Sequence, residues 1–421
     1  MAGEWSDTPF EKLLSEPVRN GIYKAKEFHG RGAKIVNMGE LFAHPRLRSA
    51  QMRRVELNTS EKDRFLLVAG DLIFARRSLT AEGAGKCSVV LEVDEPTTFE
   101  SSIIRARPEK SKADSLYLYY FFNSPSGFHA LDTIRRQVAV AGITGSDLAK
   151  LEIPTPPIEE QRAIARILGA LDDRIELNRR MNQTLEAMAR ALFKSWFIDF
   201  DGVPPDDMQD SELGPIPKGW RAVSLSDALE IIGGGTPKTN VDDYWGGDIP
   251  WFSVVDTPTA SDVFVVKTEK SITQAGLNGS SARLVPKGTT LISARGTVGN
   301  LAVAGRDMTF NQSCYGLRGK NGVGDYFVFL TAQRMVEQLR SMAHGSVFST
   351  ITRQTFDAIR IPNPPENLLA EFEQTVSAYF EEILMNVRQS QTLAHLRDSL
   401  LPKLISGELR VKDAERIVPV P

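Results

Sequence analysis

The strings Ile153-Pro-Thr-Pro-Pro157 and Ile361-Pro-Asn-Pro-Pro365 stand 208 positions apart in this chain. They belong to a longer match that runs without a gap from Gln137–Phe197 onto Gly345–Ile405, with 14 identities in 61 aligned positions. A period this long exceeds the roughly 20–50 residues of a solenoid unit. The sequence therefore predicts a duplicated domain in which each copy is closed by a helix. A chain built in this way suits a target that also has two halves.

The helices that follow the two strings are the best-defined elements of the sequence. Proline fixes extended backbone just before each helix, and apolar residues then recur three and four positions apart around a polar centre, which is typical of a coiled-coil seam. We expect the two helices to pair antiparallel, although the central asparagines would also meet in a parallel pair. The alternative is one long surface helix packed on each domain. The predicted seam consists of Leu171, Ile175, Asn178, Asn182, Leu185, Leu192, Tyr379, Ile383, Asn386, Leu393 and Leu400.

Weaker correspondences continue upstream with a drifting offset. Gly70-Asp-Leu-Ile-Phe-Ala-Arg-Arg77 matches Gly288-Thr-Thr-Leu-Ile-Ser-Ala-Arg295, and Thr98-Phe99 matches Thr309-Phe310. The drift predicts insertions and deletions in loops around a shared core, as two sites that read different targets would show.

The fold class predicted from these patterns is α+β, with two tandem globular α/β domains, each followed by a long helix, and a pseudo-two-fold relation between the copies. Short β-rich runs include Phe65–Val68, and helices are expected at Ser115–Asn123 and Val323–Met342. The predicted organisation is a first globular domain at 1–157, a long helix at 158–200, a linker at 201–219, a second globular domain at 220–365, and a second long helix with a C-terminal region at 366–421.

Composition places the chain among ordinary globular proteins. It has 421 residues and a net charge of −3, and no apolar run reaches the ~18–20 residues of a membrane span. Cys87 and Cys314 fall at non-equivalent positions, which argues against a disulfide framework or a metal site and suits a reducing, cytoplasmic location. The two globular parts are weakly basic and the two helical parts acidic, which permits nucleic acid on the former and a protein partner on the latter.

Several strings imitate catalytic motifs without completing them. Asn363-Pro-Pro-Glu366 resembles the methyltransferase motif Asn-Pro-Pro-aromatic, but Glu366 replaces the aromatic residue that would stack on a flipped base. Gly83-Ala-Gly-Lys-Cys87 lacks the first glycine and the final hydroxyl of a phosphate-binding loop. The five histidines show no ligand spacing. We therefore expect no catalytic residue, no metal and no cofactor in this chain.

Basic residues form a different pattern, because several lie at or near the ends of matched β-runs, where a loop can aim a guanidinium at guanine edges or phosphates. For any single one of them, a solvated surface charge is the competing interpretation. The candidate DNA-binding residues are Arg31, Lys34, Arg76, Arg77, Arg135, Arg136, Lys238, Trp245, Arg295, Lys320 and Arg353.

Taken together, these strings resemble the specificity subunit of type I restriction-modification enzymes. The supporting strings are Glu159-Glu-Gln-Arg-Ala-Ile164, Leu192-Phe-Lys-Ser-Trp-Phe197, Gly214-Pro-Ile-Pro-Lys-Gly-Trp220, Tyr244-Trp-Gly-Gly-Asp-Ile-Pro-Trp251 and Leu400-Leu-Pro-Lys-Leu-Ile-Ser-Gly-Glu-Leu409. The second copy departs from the pattern with Asn367-Leu-Leu where the first has Glu159-Glu-Gln, and with Thr289 where Gly-Asp is usual.

The resemblance implies a non-catalytic prokaryotic subunit whose two domains each read one half of an asymmetric bipartite sequence in double-stranded DNA. The helices would set the spacing and bind two modification subunits, and two restriction subunits can join them. S-adenosylmethionine, ATP and Mg²⁺ would belong to those partners. Two rival hypotheses are a duplicated scaffold for a protein or glycan, and an enzyme that uses Asn363-Pro-Pro365.

Overall fold

The computed structural model describes residues 5–136, 141–258, 262–344 and 350–418. These form two compact units, the first from residues 1–173 with 393–421 and the second from residues 174–392. The division falls within the two long helices, so each unit contains the N-terminal part of one and the C-terminal part of the other. The first residues of the two copies of the sequence repeat, 137–140 and 345–349, lie outside the described residues. The domain boundaries drawn from the sequence remain a prediction.

The first unit contains twelve of the strands that the structure describes, and each is short. They are β1 (Ser6–Pro9), β2 (Leu14–Asn20), β3 (His29–Val36), β4 (Arg46–Leu47), β5 (Arg53–Val55), β6 (Leu72–Ala75), β7 (Arg77–Ser78), β8 (Cys87–Val90), β9 (Thr97–Phe99), β10 (Ile103–Pro108), β11 (Ala141–Gly142) and β12 (Glu152–Thr155). The helices before the long one are α1 (Met38–Ala43), α2 (Thr59–Phe65), α3 (Ser115–Phe122), α4 (Pro125–Ile134) and α5 (Gly145–Ala149), and the first long helix is α6 (Ile158–Lys194).

In this unit, five strands form the main sheet in the order β2-β10-β6-β8-β4, and β5-β3-β9 form a second sheet. The main core lies between the main sheet, α3 and the long helices. Phe10, Phe74 and Phe122 are fully buried there and pack edge to face at 4.9–6.1 Å, which favours a single packed arrangement.

The described part of the second unit repeats ten of these twelve strands, all except β7 and β11, and adds a short hairpin of its own. Its strands are β13 (Met208–Gln209), β14 (Ile216–Pro217), β15 (Arg221–Ser224), β16 (Leu229–Gly233), β17 (Trp245–Phe252), β18 (Phe264–Val265), β19 (Lys270–Ile272), β20 (Thr290–Ser293), β21 (Leu301–Ala304), β22 (Thr309–Phe310), β23 (Cys314–Gly319) and β24 (Arg360–Asn363). Its helices are α7 (Leu225–Ala228), α8 (Gln274–Asn278), α9 (Asp325–His344), α10 (Arg353–Ala358) and the start of α11 (Glu366–Ile405); α12 (Val411–Ile417) belongs to the first unit.

The sheet orders show the duplication directly. The main sheet of the second unit runs β16-β23-β20-β21-β18 and its smaller sheet β19-β17-β22, which is the order of the first unit with each strand replaced by its counterpart. β1 pairs with β12 as β15 pairs with β24. The match of Thr98-Phe99 with Thr309-Phe310 is confirmed, because both pairs lie parallel to the equivalent strands β3 and β17. The α+β fold with two copies is therefore confirmed.

The long helices pair antiparallel. In the second unit, Arg174 contacts Gln389 and Asn182 contacts Asn386, so a residue further along α6 meets a residue earlier on α11. In the first unit the two helices are also in contact, since Asp172 of α6 accepts a hydrogen bond from Arg397 of α11. The alternative of separate surface helices is excluded by these contacts.

One predicted strand is wrong. Phe65–Val68 is not a strand, because Phe65 ends helix α2 and the next residues are irregular. Asn58 and Glu61 form a capping box at the start of α2, and this reciprocal bonding stabilises a helix there. The helices predicted at Ser115–Asn123 and Val323–Met342 are confirmed as α3 and α9.

The linker is packed rather than free along part of its length. Ile216 and Trp220 are buried, and Trp220 lies against the rings of Phe197 and Phe200 within the second unit. The short hairpin β13–β14 lies in this segment. These contacts attach the end of the linker to the core of the second unit.

Candidate nucleic-acid interface

The smaller sheet of the first unit carries a protruding loop in β3. His29 and Ala33 both pair with Val55 of β5, so the three residues between them leave the ladder. This loop, Gly30-Arg31-Gly32, has glycine φ angles of +99° and +90°, in the region that side chains other than glycine rarely adopt. The two glycines therefore allow a tight protrusion with Arg31 at its tip.

Arg31 is exposed but held in place. Its side chain is 73 % exposed, and Nε and Nη2 donate to the two carboxylate oxygens of Glu56 at 2.6 and 3.0 Å. The hydrogen bond from Arg31 lowers the pKa of Glu56. A two-point pair of this kind fixes the plane of the guanidinium. Because the pair lies at the surface, it adds little to the stability of the fold.

A groove beside this loop is lined by cationic and aromatic groups, and none of its described lining residues carries a carboxylate. Tyr23 is 81 % exposed there, and such an exposed ring is available for stacking. The lining residues are Tyr23, Lys24, Lys26, His29, Gly30, Met52, Arg53 and Arg54. Within this set, Lys24 is paired with Glu61 and Arg54 with Glu95.

The second unit has the same protrusion in β17. Trp245 and Ile249 both pair with Ile272 of β19, and the residues that leave the ladder are Gly246-Gly247-Asp248. Gly246 has a φ of +78°, and a Cβ on Gly247 would lie 2.6 Å from the carbonyl oxygen of Ile272. The β3–β5 and β17–β19 ribbons, each with its protrusion, are called here the bulged hairpins. Sequence analysis selected Arg31 and Trp245 in them but missed that they share one structure.

Arg77 and Arg295 occupy matched positions just after β6 and β20. Each is the second residue after its strand, and both side chains are exposed. Arg77 also begins β7, whose backbone pairs with β11. Neither guanidinium makes a hydrogen bond or ion pair to any other described residue. Two free guanidinium groups therefore stand at equivalent points of the two copies, as the sequence match indicated.

Three other candidates are engaged within the fold. Lys34 is largely buried, and its Nζ lies 3.0 Å from a carboxylate oxygen of Glu95 and 3.1 Å from one of Asp94. Its hydrogen bonds to Glu95 and Asp94 raise the pKa of Lys34. Arg135 donates to the carbonyl of Ala84 and pairs with Asp132. Arg76 donates to the carbonyl of Ser101. These contacts give Lys34, Arg76 and Arg135 structural roles, and we leave them out of the interface proposed below.

The remaining candidates are more accessible. Arg136 pairs with Asp147 while staying two-thirds exposed. Lys320 donates to the carbonyl of Ser226, and Arg353 to that of Ile231. These three residues are not brought together with a bulged hairpin by any contact that the structure describes.

Lys238 and Trp245 lie together beside the second bulged hairpin. The indole nitrogen of Trp245 donates to the carbonyl of Lys238 at 3.1 Å. The Trp245 ring packs edge to face on Trp251. The exposed side chain of Lys238 is therefore held close to the protrusion.

A polar layer interrupts the helix seam in the second unit. Asn178 is fully buried and donates to Gln389 Oε1 at 2.9 Å and to Ser390 Oγ at 3.1 Å, and Asn386 donates to Asn182 Oδ1 at 3.0 Å. Buried amides with partners in one geometry define the register of a helix pair.

One exposed patch of the helices repeats between the copies. Arg180, Gln183 and Thr184 of α6 are exposed, and the identical residues Arg388, Gln391 and Thr392 are exposed on α11. Leu177 and Met385, which are both exposed apolar residues, lie at equivalent positions beside it. Packing in the seam explains identical buried residues such as Asn178 and Asn386, but it does not explain identical exposed ones. The exposed patch therefore indicates a shared partner.

The cysteines and the Asn-Pro-Pro string are placed as follows. Among the described residues, no group of three or more His, Cys, Asp and Glu side chains is placed to hold a metal ion. Cys87 and Cys314 are free and buried, and burial raises the pKa of Cys314 to about 12. Asn363 ends strand β24 opposite Arg221, just as Thr155 ends β12, so Asn363-Pro-Pro365 lies where a strand gives way to a helix.

No helix in the described ranges is both long enough and apolar enough to cross a bilayer.

Comparison with known proteins defines the class of this chain. The model of the type I restriction modification DNA specificity domain matches it twice, at residues 19–187 and 217–380, which together make up most of its length. The chain belongs to the family of type I restriction-modification specificity subunits, and it contains two target-recognition domains.

Individual relatives extend over most of the chain. It is 26 % identical over 354 residues to the type I restriction enzyme HindI specificity subunit of Haemophilus influenzae, covering 70 % of this chain and 77 % of that protein. It is 24 % identical over 422 residues to the putative type I restriction enzyme MjaX specificity subunit of Methanocaldococcus jannaschii, covering 97 % and 94 %. The crystal structure of the S subunit of a type I restriction-modification system from M. genitalium shares the fold, with a TM-score of 0.61 at 14 % identity and coverage of 95 % and 96 %.

Proposed function

We propose that each target-recognition domain reads one half of a bipartite sequence in double-stranded DNA, and that the reactive chemistry belongs to partner subunits. The observation that carries this proposal is the repetition of both sheets of one domain, in the same strand order, with different exposed residues on the bulged hairpins. A single fold that presents two different surfaces suits two different half-sites. The comparisons give the scaffold alternative no support.

The matched arginines fit a contact that both half-sites share. Phosphate groups are present in DNA of any base sequence, and contacts to them supply much of the affinity of DNA-binding proteins. Arg77 and Arg295 are identical, exposed and free of partners among the described residues, so we assign them to phosphates. The groove residues Lys26 and Arg53 add to the positive surface of the first unit.

The helices provide the docking site for modification subunits in this proposal. The repeated face around Arg180, Gln183 and Thr184, and its copy around Arg388, Gln391 and Thr392, would bind the same partner twice. The proposed complex therefore contains two modification subunits, and two restriction subunits can join them. S-adenosylmethionine, ATP and Mg²⁺ would be bound by these partners in the cytoplasm of a prokaryote. The buried free thiols fit such a reducing compartment.

Native mass spectrometry of the chain with its modification subunit tests the docking proposal. Gln183→Arg and Gln391→Arg each place a bulky charge on one of the two repeated faces. We expect each variant to retain one modification subunit and the double variant to retain none. Gln374→Arg is the matched control, because Gln374 is exposed on α11 at a position where the copies differ. Retention of two subunits by the double variant would exclude docking at these faces.

A further inference from the structure

The residues of the bulged hairpins fall into two groups, those that pack against the core and those that are exposed. Their apolar residues correspond in register, with the buried Ala33, Val36 and Val55 matching the half-buried Ile249 and the buried Phe252 and Ile272. Ladder pairing places these residues in register, so one backbone has been retained in both units. The hairpin is therefore a common scaffold.

The exposed residues on the same scaffold differ in chemistry. The first protrusion carries Arg31, whereas the second carries the exposed carboxylate of Asp248. His29 at the base of the first is matched by Trp245 at the base of the second. The exposed patch repeated on the long helices shows the opposite behaviour, since its residues, such as Arg180 and Arg388, are identical. A partner common to both copies explains the helices, and a partner that differs between them explains the hairpins.

The protrusions suit base reading. The major groove of B-DNA is about 12 Å wide and exposes the base edges. A three-residue protrusion that leaves the ladder at the end of β3 or β17 can present one side chain to those edges. An arginine fork donates to O6 and N7 of guanine, whereas a carboxylate accepts from the amino group of cytosine. The Glu56 pair occupies Nε and Nη2 of Arg31 and holds the fork in one plane.

We infer that the bulged hairpin is the base-reading element of each domain, with Arg31 contacting a guanine in one half-site and Asp248 the amino group of a cytosine in the other. This inference rests on the proposed function, because it assigns to one element the DNA reading proposed for the whole domain. Asp248 is suited to the role, since it makes no hydrogen bond or ion pair to other residues in the described ranges.

The test measures the affinity of the assembled complex for a panel of duplexes in which each base pair of the target is changed in turn. With Arg31→Ala, we expect discrimination at one G·C pair of one half-site to fall about 10-fold or more. Asp248→Ala should have the same effect at one C·G pair of the other half-site. Arg31→Lys keeps the charge and loses the fork, so it should also lose discrimination.

Two matched controls complete the experiment. Arg162 is exposed and paired with Glu159 on α6, and Asp206 is exposed in the linker, so Arg162→Ala and Asp206→Ala should leave the discrimination profile unchanged. A uniform loss of affinity at all base pairs, or an unchanged profile in the hairpin variants, would overturn the assignment of the hairpins alone. If the wild-type complex itself shows no preference for any base pair, the proposed function fails instead.

Discussion

Asp71 and Thr289 occupy the same position in the two copies, and each bonds the residue three places before it. The buried carboxylate of Asp71 accepts from the backbone N–H of Val68 at 2.9 Å, whereas the hydroxyl of Thr289 donates to the carbonyl of Pro286 at 2.8 Å. Proline has no N–H, so a carboxylate at position 289 would lack that donor. The departure from Gly-Asp in the second copy is therefore compensated locally.

Asp71 has a second role that Thr289 lacks. It also accepts two hydrogen bonds from Arg107, at 2.7 and 2.8 Å. Removing it would leave the N–H of Val68 and the Nε of Arg107 without their acceptor, although Arg107 would keep its ion pair with Glu16. We expect Asp71→Ala to lower the free energy of unfolding of the first unit by about 2–3 kcal/mol, and Thr289→Ala to cost the second unit about 1 kcal/mol. Urea denaturation measures both, and equal costs would contradict this account.

The two copies also cap equivalent helices in different ways. Asp114 accepts from the N–H groups of Leu116 and Tyr117 at the start of α3. At the start of α9 the residue before the helix is Gly324, and the acceptor is Glu373 from the long helix α11. A Cβ on Gly324 would lie 2.1 Å from the Glu373 carboxyl carbon. In the second copy, an aspartate at position 324 and the Glu373 carboxylate therefore cannot both lie at the start of α9.

The steric conflict between position 324 and Glu373 predicts that a second substitution can offset the destabilising effect of the first. Gly324→Asp alone should destabilise the second unit by about 1–3 kcal/mol through overpacking. Combining it with Glu373→Ala should restore most of that loss, because the introduced carboxylate could then cap α9 as Asp114 caps α3. Thermal unfolding of the single and double variants measures the effect. Additive destabilisation in the double variant would show that the caps are not interchangeable.

Glu373 also predicts a pH dependence. Burial raises the pKa of Glu373 above its ordinary value of 4.5, although two backbone hydrogen bonds oppose the shift. The folded chain then holds a proton that the unfolded chain has lost, so the Glu373 contribution to stability falls as pH rises from about 4.5 through the folded pKa.

Replacement of this carboxyl group should remove that part of the dependence. We expect the midpoint of thermal unfolding of Glu373→Gln to change less with pH above 4.5 than that of the wild type. Glu371→Gln is the control, because Glu371 is exposed on the same helix. The same slope in Glu373→Gln and the wild type would show that this group does not titrate in the window.

The exposed guanidinium groups of Arg77 and Arg295 predict how DNA affinity depends on salt concentration. If Arg77 and Arg295 each contact one phosphate, then Arg77→Ala and Arg295→Ala should each weaken binding to all duplexes alike. Each should also reduce the slope of log affinity against log salt by about 1. Titrations at several salt concentrations measure this slope. A loss of affinity confined to one base pair would instead place these residues among the base readers.

Long gap-free similarity made the helices and their seam predictable. Asn178 and Asn386 are identical at the constant offset, and their burial follows from helical periodicity alone. The antiparallel direction needed the structure, since the polar layer would meet in either orientation. The helix at Thr59–Phe65 was missed although Asn58 and Glu61 form a recognisable capping pair, because the apolar run that follows suggested a strand.

The equivalence of the bulged hairpins could not be read from identities. His29–Val36 and Trp245–Phe252 share a glycine at the start of the protrusion, Gly30 and Gly246, and otherwise little more than apolar character at buried positions. Insertions before and after them shift the offset. The engagement of Lys34 with Asp94 and Glu95 was equally hidden, since sequence does not show which charges meet across strands.

The central claim is that two domains on one chain each read one half of a DNA target. Its most direct test maps the methylated adenines in cells that carry either the natural chain, with its modification subunit, or a chain whose residues 1–157 come from another specificity subunit. We predict that one half of the methylated sequence changes and the other half stays the same. A change in both halves, or in neither, would contradict the account.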